Sequence, residues 1–191
     1  MIKIAILGDI GSGKSFIAKQ FGYPVFNADN EVRKIYKNDR NCYKKLNKAI
    51  PKYILSFPIN KKEIVKSILS NQKNLKKIIK IVHPLVWTKM KKFIDKNKKK
   101  KLIVFDIPLL LENKLEKKVN FLIFIEAKKR EIIKNLKKRK NYSFKMIKIL
   151  KKFQLPIKYK KKKSDFVIKN NFKIYQVKNN VKLIKNKILN R

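Results

Sequence analysis

The sequence predicts an α/β protein in which a parallel five-stranded sheet lies between layers of helices. Short, continuously apolar runs recur along the chain, as they do in strands that are buried on both faces. Segments with apolar residues at helical spacing separate these runs. Three of the four glycines fall directly after the first apolar run, where a strand would turn into a helix. Together these observations favour alternating strands and helices joined by right-handed crossovers.

The first strand and the first helix flank this glycine-rich segment. Residues 1–7 are apolar apart from Lys3 and predict a buried strand, and helical spacing runs from Phe16 to a stop near Gly22. Between them, residues 8–15 have the spacing G-x-x-x-x-G-K-S of a phosphate-binding loop, or P-loop. Because strand, loop and helix come in the order that such a loop requires, we prefer this interpretation to a chance glycine turn.

Each part of the P-loop has an expected role in binding ATP. Its backbone N–H groups and the positive end of the following helix would hold the α- and β-phosphates. Lys14 would bridge the β- and γ-phosphates, and the Ser15 hydroxyl would bind Mg²⁺. The predicted ATP-binding residues are Gly8, Asp9, Ile10, Gly11, Ser12, Gly13, Lys14, Ser15 and Phe16.

The other elements follow from the same two patterns. Apolar runs predict four further strands, at residues 23–26, 102–106, 121–125 and 165–168. Helical spacing predicts helices over residues 29–36, 64–69, 75–82, 132–136, 146–153 and 177–188. We expect helix breaks near Asn71 and at His83-Pro84, because proline disfavours a helical residue before it. Lysine runs at 98–101 and 160–163 predict solvated loops, although the second would lie near nucleotide phosphates if the segment before it forms a lid.

These elements predict one domain with three parts. The nucleotide core would comprise about residues 1–28, 100–138 and 164–191, with a helical acceptor-binding insertion at about 29–99 and a lid region at about 139–163. A length of 191 residues and an apolar content of 44% are sufficient for one such core.

The formal net charge of +41 raises the question of a nucleic-acid partner, since such a field attracts any polyanion. However, arginine is scarce among the 53 basic residues, whereas dedicated nucleic-acid surfaces favour arginine forks and exposed aromatic rings. Lysine, asparagine and isoleucine share A/T-rich codons, so we attribute the charge to compositional drift. A nucleic-acid-binding protein with a vestigial P-loop remains the alternative from another functional class.

The cysteine content and the apolar runs bear on location. Cys42 is the single cysteine, which excludes a disulfide within the chain and favours a reducing, cytoplasmic setting. No apolar run approaches the roughly 18 residues that span a bilayer, and the chain enters its first strand without a signal peptide. We therefore expect a cytoplasmic protein without a membrane partner, and the sequence does not predict its oligomeric state.

Three side chains at the ends of predicted elements are candidates for chemistry. Asp29 follows the second strand by a few residues and would accept a proton from an attacking hydroxyl, or cap the next helix. Asp106 ends the third strand and would lie near Mg²⁺, or serve as a polar strand end. Arg139 ends a helix and would reach the γ-phosphate, or remain a solvated cation at that helix end.

The order and spacing of these motifs resemble those of the dephospho-CoA kinase family over nearly the whole chain. The P-loop alone is shared by many nucleotide-binding families, whereas the His-Pro pair and the stretch D-I-P-L-L-L-E are far more discriminating. The segments that carry the resemblance are residues 8–15, Asn27-Ala28-Asp29, His83-Pro84, residues 106–112, Arg139, Gln154, Ser164-Asp165 and Asn170.

The resemblance implies a three-layer P-loop kinase fold with an inserted helical substrate subdomain and a lid. It also implies transfer of the ATP γ-phosphoryl group to the ribose 3′-hydroxyl of dephospho-CoA, giving CoA and ADP, with Mg²⁺ as cofactor. The implied catalytic residues are Asp29, Lys14 and Arg139, and the expected metal-binding residues are Ser15 and Asp106. The implied substrate-binding residues are Asp29, His83, Pro84, Leu109, Leu110 and Glu112, of which the two leucines are equally candidates for the core.

Some positions depart from the family pattern. Asn27 stands where an aspartate is usual, and Phe16 stands where a small threonine is common. Ile132 and Asn135 stand where glutamine and arginine are frequent, which leaves fewer cations near the lid. Either Lys134, Lys137 or Lys138 compensates for these missing cations, or turnover is reduced. Another small-molecule or nucleotide kinase of the same fold is a second alternative; a GTPase is disfavoured because no Asn-Lys-x-Asp stretch follows the fourth strand.

Overall fold

The computed structural model describes residues 1–138 and 142–190 and divides the chain into two compact units. The sheet unit comprises Met1–Asn27, Asn97–Ser143 and Lys151–Arg191, and the helical unit comprises Ala28–Lys96 and Phe144–Leu150. Each unit has its own apolar interior. The functional division into core, acceptor-binding insertion and lid stays a prediction.

A parallel five-stranded sheet forms the centre of the sheet unit and confirms the predicted fold class. The strands are β1 (Ile2–Gly8), β2 (Val25–Asn27), β3 (Leu102–Asp106), β4 (Phe121–Glu126) and β5 (Phe166–Lys169). Their order across the sheet is β2-β3-β1-β4-β5. Every pairing is parallel, so the carboxyl ends of all five strands share one edge of the sheet.

Helices occupy most of the chain between these strands. They are α1 (Lys14–Gln20), α2 (Ala28–Asn38), α3 (Arg40–Ala49), α4 (Lys61–Ser70), α5 (Lys73–Lys96), α6 (Lys129–Lys137), α7 (Phe144–Lys152), α8 (Ile157–Lys162) and α9 (Ile174–Leu189). Within the described residues, no helix combines the length and the apolar character needed to cross a bilayer.

The core of the sheet unit forms where the sheet packs against α1 and α9. The strands supply continuous apolar runs, and α1 and α9 each present one apolar face, as expected for amphipathic helices on a buried sheet. The fully buried members of this cluster are Ile4, Ile6, Ile17, Ala18, Phe21, Leu102, Val104, Ile123, Ile125, Ile168, Val177, Val181 and Ile188.

The helical unit has a separate interior formed by one face of each of its long helices. It contains Cys42, a free thiol that is 1% exposed. Burial raises the pKa of this thiol to about 11, with a further contribution from the nearby Asp39 carboxylate and an opposing one from Lys45. Cys42 therefore serves as a small apolar side chain of this interior.

The predicted helix break at His83-Pro84 is wrong. α5 continues through Pro84, which lies inside the helix. The apolar face of the helix explains this result, because Ile78, Val82 and Val86 are all buried at four-residue spacing on both sides of the proline. Proline removes one N–H donor from the helix, but it leaves this apolar face unbroken. The break near Asn71 is confirmed, since α4 ends at Ser70.

The predicted solvated loop at residues 160–163 is also wrong. Residues Ile157–Lys162 form α8, and Lys160 is 1% exposed although its neighbours in the lysine run are exposed. Its ammonium group has an acidic partner, described below, which is the usual condition for burying a lysine. By contrast, the lysine run at 98–101 is exposed between α5 and β3, as predicted.

Candidate active site

The P-loop between β1 and α1 turns too tightly for a side chain at its first residue. Gly8 has a φ of 149°, and a Cβ there would lie 2.7 Å from Ser12 Oγ and 2.9 Å from the carbonyl oxygen of Ile125. The Ser12 N–H donates to the carbonyl oxygen of Asp9 at 3.1 Å, which closes the turn. A compact loop of this kind directs several backbone N–H groups towards one anion.

Lys14 reaches back over the beginning of the P-loop. Its Nζ donates to the carbonyl oxygen of Asp9 at 2.7 Å and to that of Gly8 at 3.1 Å. Lys14 is the first residue of α1, so its backbone lies at the C-terminal end of the loop, whereas its ammonium group lies at the N-terminal end. One positive charge is thereby fixed beside the loop that the sequence predicts will bind phosphates.

Three polar side chains meet where β2 and β3 end beside the P-loop. The strand register pairs Asn27 with Asp106, and Asn27 Nδ2 donates to Asp106 Oδ2 at 2.5 Å. The same nitrogen lies 3.5 Å from Ser15 Oγ. Asp106 is only 3% exposed, so its carboxylate depends on such donors for the solvation it has lost. The structure thus brings together the two predicted metal-binding residues, Ser15 and Asp106.

The donor set at this point fits Mg²⁺. A hydroxyl and a carboxylate are the hard oxygen ligands that Mg²⁺ prefers, and the ion commonly takes only one or two protein ligands and completes its shell with phosphates and water. The described residues contain no group of three or more His, Cys, Asp or Glu side chains that could hold a metal ion.

A buried ion pair joins the stretch after β3 to α8. Lys160 Nζ lies 2.7 Å from Glu112 Oε1, with the two side chains 1% and 12% exposed. The same oxygen accepts a hydrogen bond from the backbone N–H of Leu155 at 2.9 Å. Glu112 therefore holds the segment 155–160 through two separate donors.

Sequence comparisons with known proteins point to one family. A sequence model of the dephospho-CoA kinase family matches residues 2–176. Over 170 residues the chain is 37% identical to the dephospho-CoA kinase of Wolbachia sp. subsp. Brugia malayi, an alignment that covers 86% of this chain and 87% of the relative. Over 175 residues it is 34% identical to the enzyme of that name from Bartonella henselae, with 86% and 87% covered. The chain belongs to the dephospho-CoA kinase family.

Solved structures share the fold. A protein from Thermus thermophilus superposes with a TM-score of 0.79 at 23% identity, covering 98% of this chain and 97% of the other. The dephospho-CoA kinase from Campylobacter jejuni superposes with a TM-score of 0.66 at 23% identity over the same shares. Shikimate kinase from Bacteroides thetaiotaomicron reaches a TM-score of 0.52 at 8% identity, covering 98% of each chain. The fold is thus that of P-loop kinases.

The residues that the family resemblance assigns to the acceptor lie partly in the helical unit. Asp29 is the second residue of α2 and is exposed, in the first turn of the helix. His83 lies within α5, where its ring contacts that of Trp87 one helical turn later, at 5.3 Å between centroids. Pro84 is exposed on the same helix.

The stretch after β3 divides into buried and accessible members. Leu110 is 1% exposed, so its side chain packs within the sheet unit, whereas Leu109 is partly exposed. Glu112 is engaged by Lys160 and Leu155, as described above. Among Leu109, Leu110 and Glu112, Leu109 is therefore the residue whose side chain is neither buried nor engaged in the contact with Lys160.

One cation near the P-loop was not among the expected residues. Lys151 Nζ lies 2.9 Å from Asp9 Oδ2, while Asp9 Oδ1 accepts from the backbone N–H of Ile10 at 2.7 Å. Lys151 thus offsets the negative charge of the acidic side chain in this loop. Nothing in the sequence pattern distinguishes Lys151 from its many lysine neighbours, since 142 positions separate it from Asp9.

The remaining expectations concern the segment near the predicted lid. Arg139 lies outside the described residues. Ile132 is buried at 6% exposure and packs in the core, and Asn135 Nδ2 donates to the backbone carbonyl of Glu131 at 2.9 Å. The lysines expected to compensate are all exposed; they are Lys134, Lys137 and Lys138. Phe16, at the end of the predicted ATP-binding stretch, is 41% exposed.

Proposed function

We propose that this chain transfers the γ-phosphoryl group of ATP to the ribose 3′-hydroxyl of dephospho-CoA, giving CoA and ADP. The observation that carries the proposal is the match of the dephospho-CoA kinase family over residues 2–176. The contacts of Lys14 and the meeting of Asn27, Ser15 and Asp106 at the strand ends support a phosphoryl-transfer site in particular. A cytoplasmic location belongs to the same proposal and is supported by the buried free thiol of Cys42.

Phosphoryl transfer needs positioning and charge neutralisation more than covalent chemistry from the protein. The P-loop N–H groups would bind the phosphate oxygens, and Lys14 would move its ammonium group from the Gly8 and Asp9 carbonyls to the β- and γ-phosphates. A positive charge placed there stabilises the negative charge on the transferred group. The nine residues named above, Gly8 to Phe16, would form the ATP-binding stretch.

Mg²⁺ belongs to the proposal as a cofactor. Ser15 and Asp106 would hold it, directly or through water, with Asn27 between them. When bound, the ion neutralises phosphate charge and orients the polyphosphate chain. The role of Asn27 is to donate to the Asp106 carboxylate and so fix the orientation of that group.

The acceptor hydroxyl must lose a proton as it attacks phosphorus. We assign this step to the Asp29 carboxylate, which would orient the 3′-hydroxyl and take its proton. Its exposure at the start of α2 leaves the carboxylate accessible to a ligand. The acceptor site would also include His83, Pro84, Leu109, Leu110 and Glu112. Of these, Leu110 and Glu112 would contribute by shaping the stretch after β3. Arg139 would add a cation over the γ-phosphate.

The direct test is ADP release from Mg-ATP with dephospho-CoA as acceptor. CoA is the matched control acceptor, because it differs only in that its 3′-position already carries phosphate. AMP, shikimate and single-stranded DNA complete the panel, which is measured at moderate salt to screen the net charge. We expect turnover with dephospho-CoA alone. Turnover with another acceptor but not with dephospho-CoA would overturn the proposal and leave a different kinase of the same fold.

A further inference from the structure

Asn170 follows β5 directly and contacts the P-loop from a distant part of the chain. Its Nδ2 donates to the backbone carbonyl oxygen of Ser12 at 2.8 Å, across 158 sequence positions. The side chain also packs against Gly13, where an added Cβ would overlap Asn170 Nδ2. Asn170 is 4% exposed and Ser12 is completely buried, so water does not compete for this hydrogen bond.

The orientation of the Asn170 carboxamide is fixed by its surroundings. Its Oδ1 accepts a hydrogen bond from the backbone N–H of Phe172 at 2.9 Å, which leaves the Nδ2 arm facing Ser12. The backbone N–H of Asn170 donates to the carbonyl oxygen of Glu126 at the end of β4, at 2.7 Å. The donor is thus attached to the rigid edge of the sheet rather than to a mobile surface residue.

This contact determines which way one peptide group of the P-loop faces. In a trans peptide the C=O and the following N–H point in opposite directions. A hydrogen bond that holds the Ser12 carbonyl towards Asn170 therefore turns the Gly13 N–H away from Asn170. Gly13 has a φ of 89°, a conformation that glycine adopts without strain. The short distance between Gly13 and the carboxamide also stops the loop from relaxing in that direction.

We propose that Asn170 is a positioning residue of the nucleotide site, which holds the Ser12–Gly13 peptide so that the Gly13 N–H faces the polyphosphate. The inference rests on the proposed phosphate-binding role of the P-loop, but not on the identity of the acceptor. The ligand group that the Gly13 N–H contacts is the polyphosphate chain, so the effect of Asn170 does not depend on the adenine ring. Without the carboxamide, the Ser12–Gly13 peptide is free to rotate. Binding phosphate must then order this peptide again, and the entropy lost in doing so lowers the affinity.

The test compares Asn170→Ala with Asn171→Ala, the same change one residue later. Asn171 is exposed, and its side chain bonds to Gln176 and to the backbone of Lys173. Binding of ATP and of inorganic tripolyphosphate is measured by calorimetry at a temperature where circular dichroism shows each variant fully folded. We expect Asn170→Ala to weaken both ligands by at least about tenfold. Asn171→Ala should leave both unchanged.

Two results with Asn170→Ala would overturn the inference. If Asn170→Ala weakens ATP but not tripolyphosphate, the residue serves the adenosine moiety instead. If it lowers the melting temperature but leaves both affinities unchanged, its role is structural only. If Asn170→Ala fails to fold, the test uses Asn170→Asp, which keeps the side-chain volume and replaces the donor by an acceptor. Asn171→Asp is its charge-matched control. Equal affinities of these two variants for the polyphosphate would also contradict the inference. These binding measurements contain no acceptor, so they do not depend on the proposed reaction. A native chain that binds tripolyphosphate but does not phosphorylate dephospho-CoA would refute the proposed function and leave this inference intact.

Discussion

At the scale of single residues, Asn27 gives the Asp106 carboxylate a hydrogen-bond donor instead of a second negative charge. Its amide donates to the buried Asp106 carboxylate, and the same nitrogen lies near Ser15 Oγ. An aspartate here, as the family pattern usually has, would place a second carboxylate against Asp106. Two adjacent carboxylates repel each other strongly where water is excluded, unless a cation or a proton lies between them.

This reasoning predicts the effect of Asn27→Asp. Urea unfolding should show a free energy of unfolding lower by about 1–3 kcal/mol in the presence of a chelator, because a hydrogen bond is exchanged for repulsion. Millimolar Mg²⁺ should recover more stability in this variant than in the native chain. Asn179→Asp, on an exposed position of α9, adds the same charge as a control. An unchanged stability in chelator would show that the Asn27 hydrogen bond contributes nothing.

A second prediction at this scale concerns Asp29. If its carboxylate takes the proton of the attacking hydroxyl, Asp29→Asn should lower kcat by about 100-fold or more, while the affinity for ATP stays within about twofold. Glu31→Gln is the matched control, since Glu31 lies in the same first turn of α2 and pairs with Lys34. An equal loss of ATP affinity in Asp29→Asn, measured by calorimetry, would assign Asp29 a structural role.

At the scale of elements, the Glu112–Lys160 pair fixes α8 to the stretch that follows β3. Both charges are removed from water, and Glu112 Oε2 is buried with no hydrogen-bond partner among the described residues. Removing one partner of such a pair leaves an uncompensated buried charge. The resulting loss in the free energy of unfolding is larger than the stability that the intact pair contributes.

The corresponding prediction is a mutant cycle. Lys160→Met should lower the free energy of unfolding by about 3 kcal/mol, and adding Glu112→Gln, which keeps an acceptor for the Leu155 N–H, should recover much of that loss. Lys161→Met is the control, because its pair with Glu126 is about half exposed and contributes about 1 kcal/mol or less. Equal losses in Lys160→Met and Lys161→Met, measured by urea unfolding, would contradict the importance of burial.

The same elements show what the sequence pattern predicts and what it does not. The strands and most helices follow from apolar runs and helical spacing, because these patterns reflect burial of two faces or of one. The P-loop follows from the spacing of its glycines, Lys14 and Ser15. The burial of Lys160 does not follow, since nothing local distinguishes it within the lysine run. The helix through Pro84 contradicts the prediction of a break, because the apolar face that continues across the proline outweighs its local effect.

Contacts between distant parts of the chain account for what was missed at the site. Asp106 was predicted near Mg²⁺ from its place at a strand end. Its hydrogen bond to Asn27 depends on β2 lying beside β3, which only the strand order reveals. The contact of Lys151 with Asp9 and that of Asn170 with Ser12 join residues more than a hundred positions apart. No local spacing rule predicts such pairs.

At the scale of the whole molecule, the net charge of +41 and the P-loop point to different functions. A field of that size would attract any polyanion, nucleic acid and nucleotides alike, and salt weakens such attraction. The P-loop and the family match point instead to one defined reaction. Activity with a small acceptor at moderate salt therefore separates the chemistry of the site from the general effect of charge.

The most direct measurement is transfer of label from γ-³²P-ATP to dephospho-CoA, compared between the native chain, Lys14→Ala and Lys19→Ala. Lys19 is an exposed lysine on the same helix, so its replacement removes an equal charge without touching the P-loop. The account predicts labelled CoA with the native chain and with Lys19→Ala, and a loss of at least about 100-fold with Lys14→Ala. Undiminished transfer by Lys14→Ala, or no labelled CoA from the native chain, would contradict it.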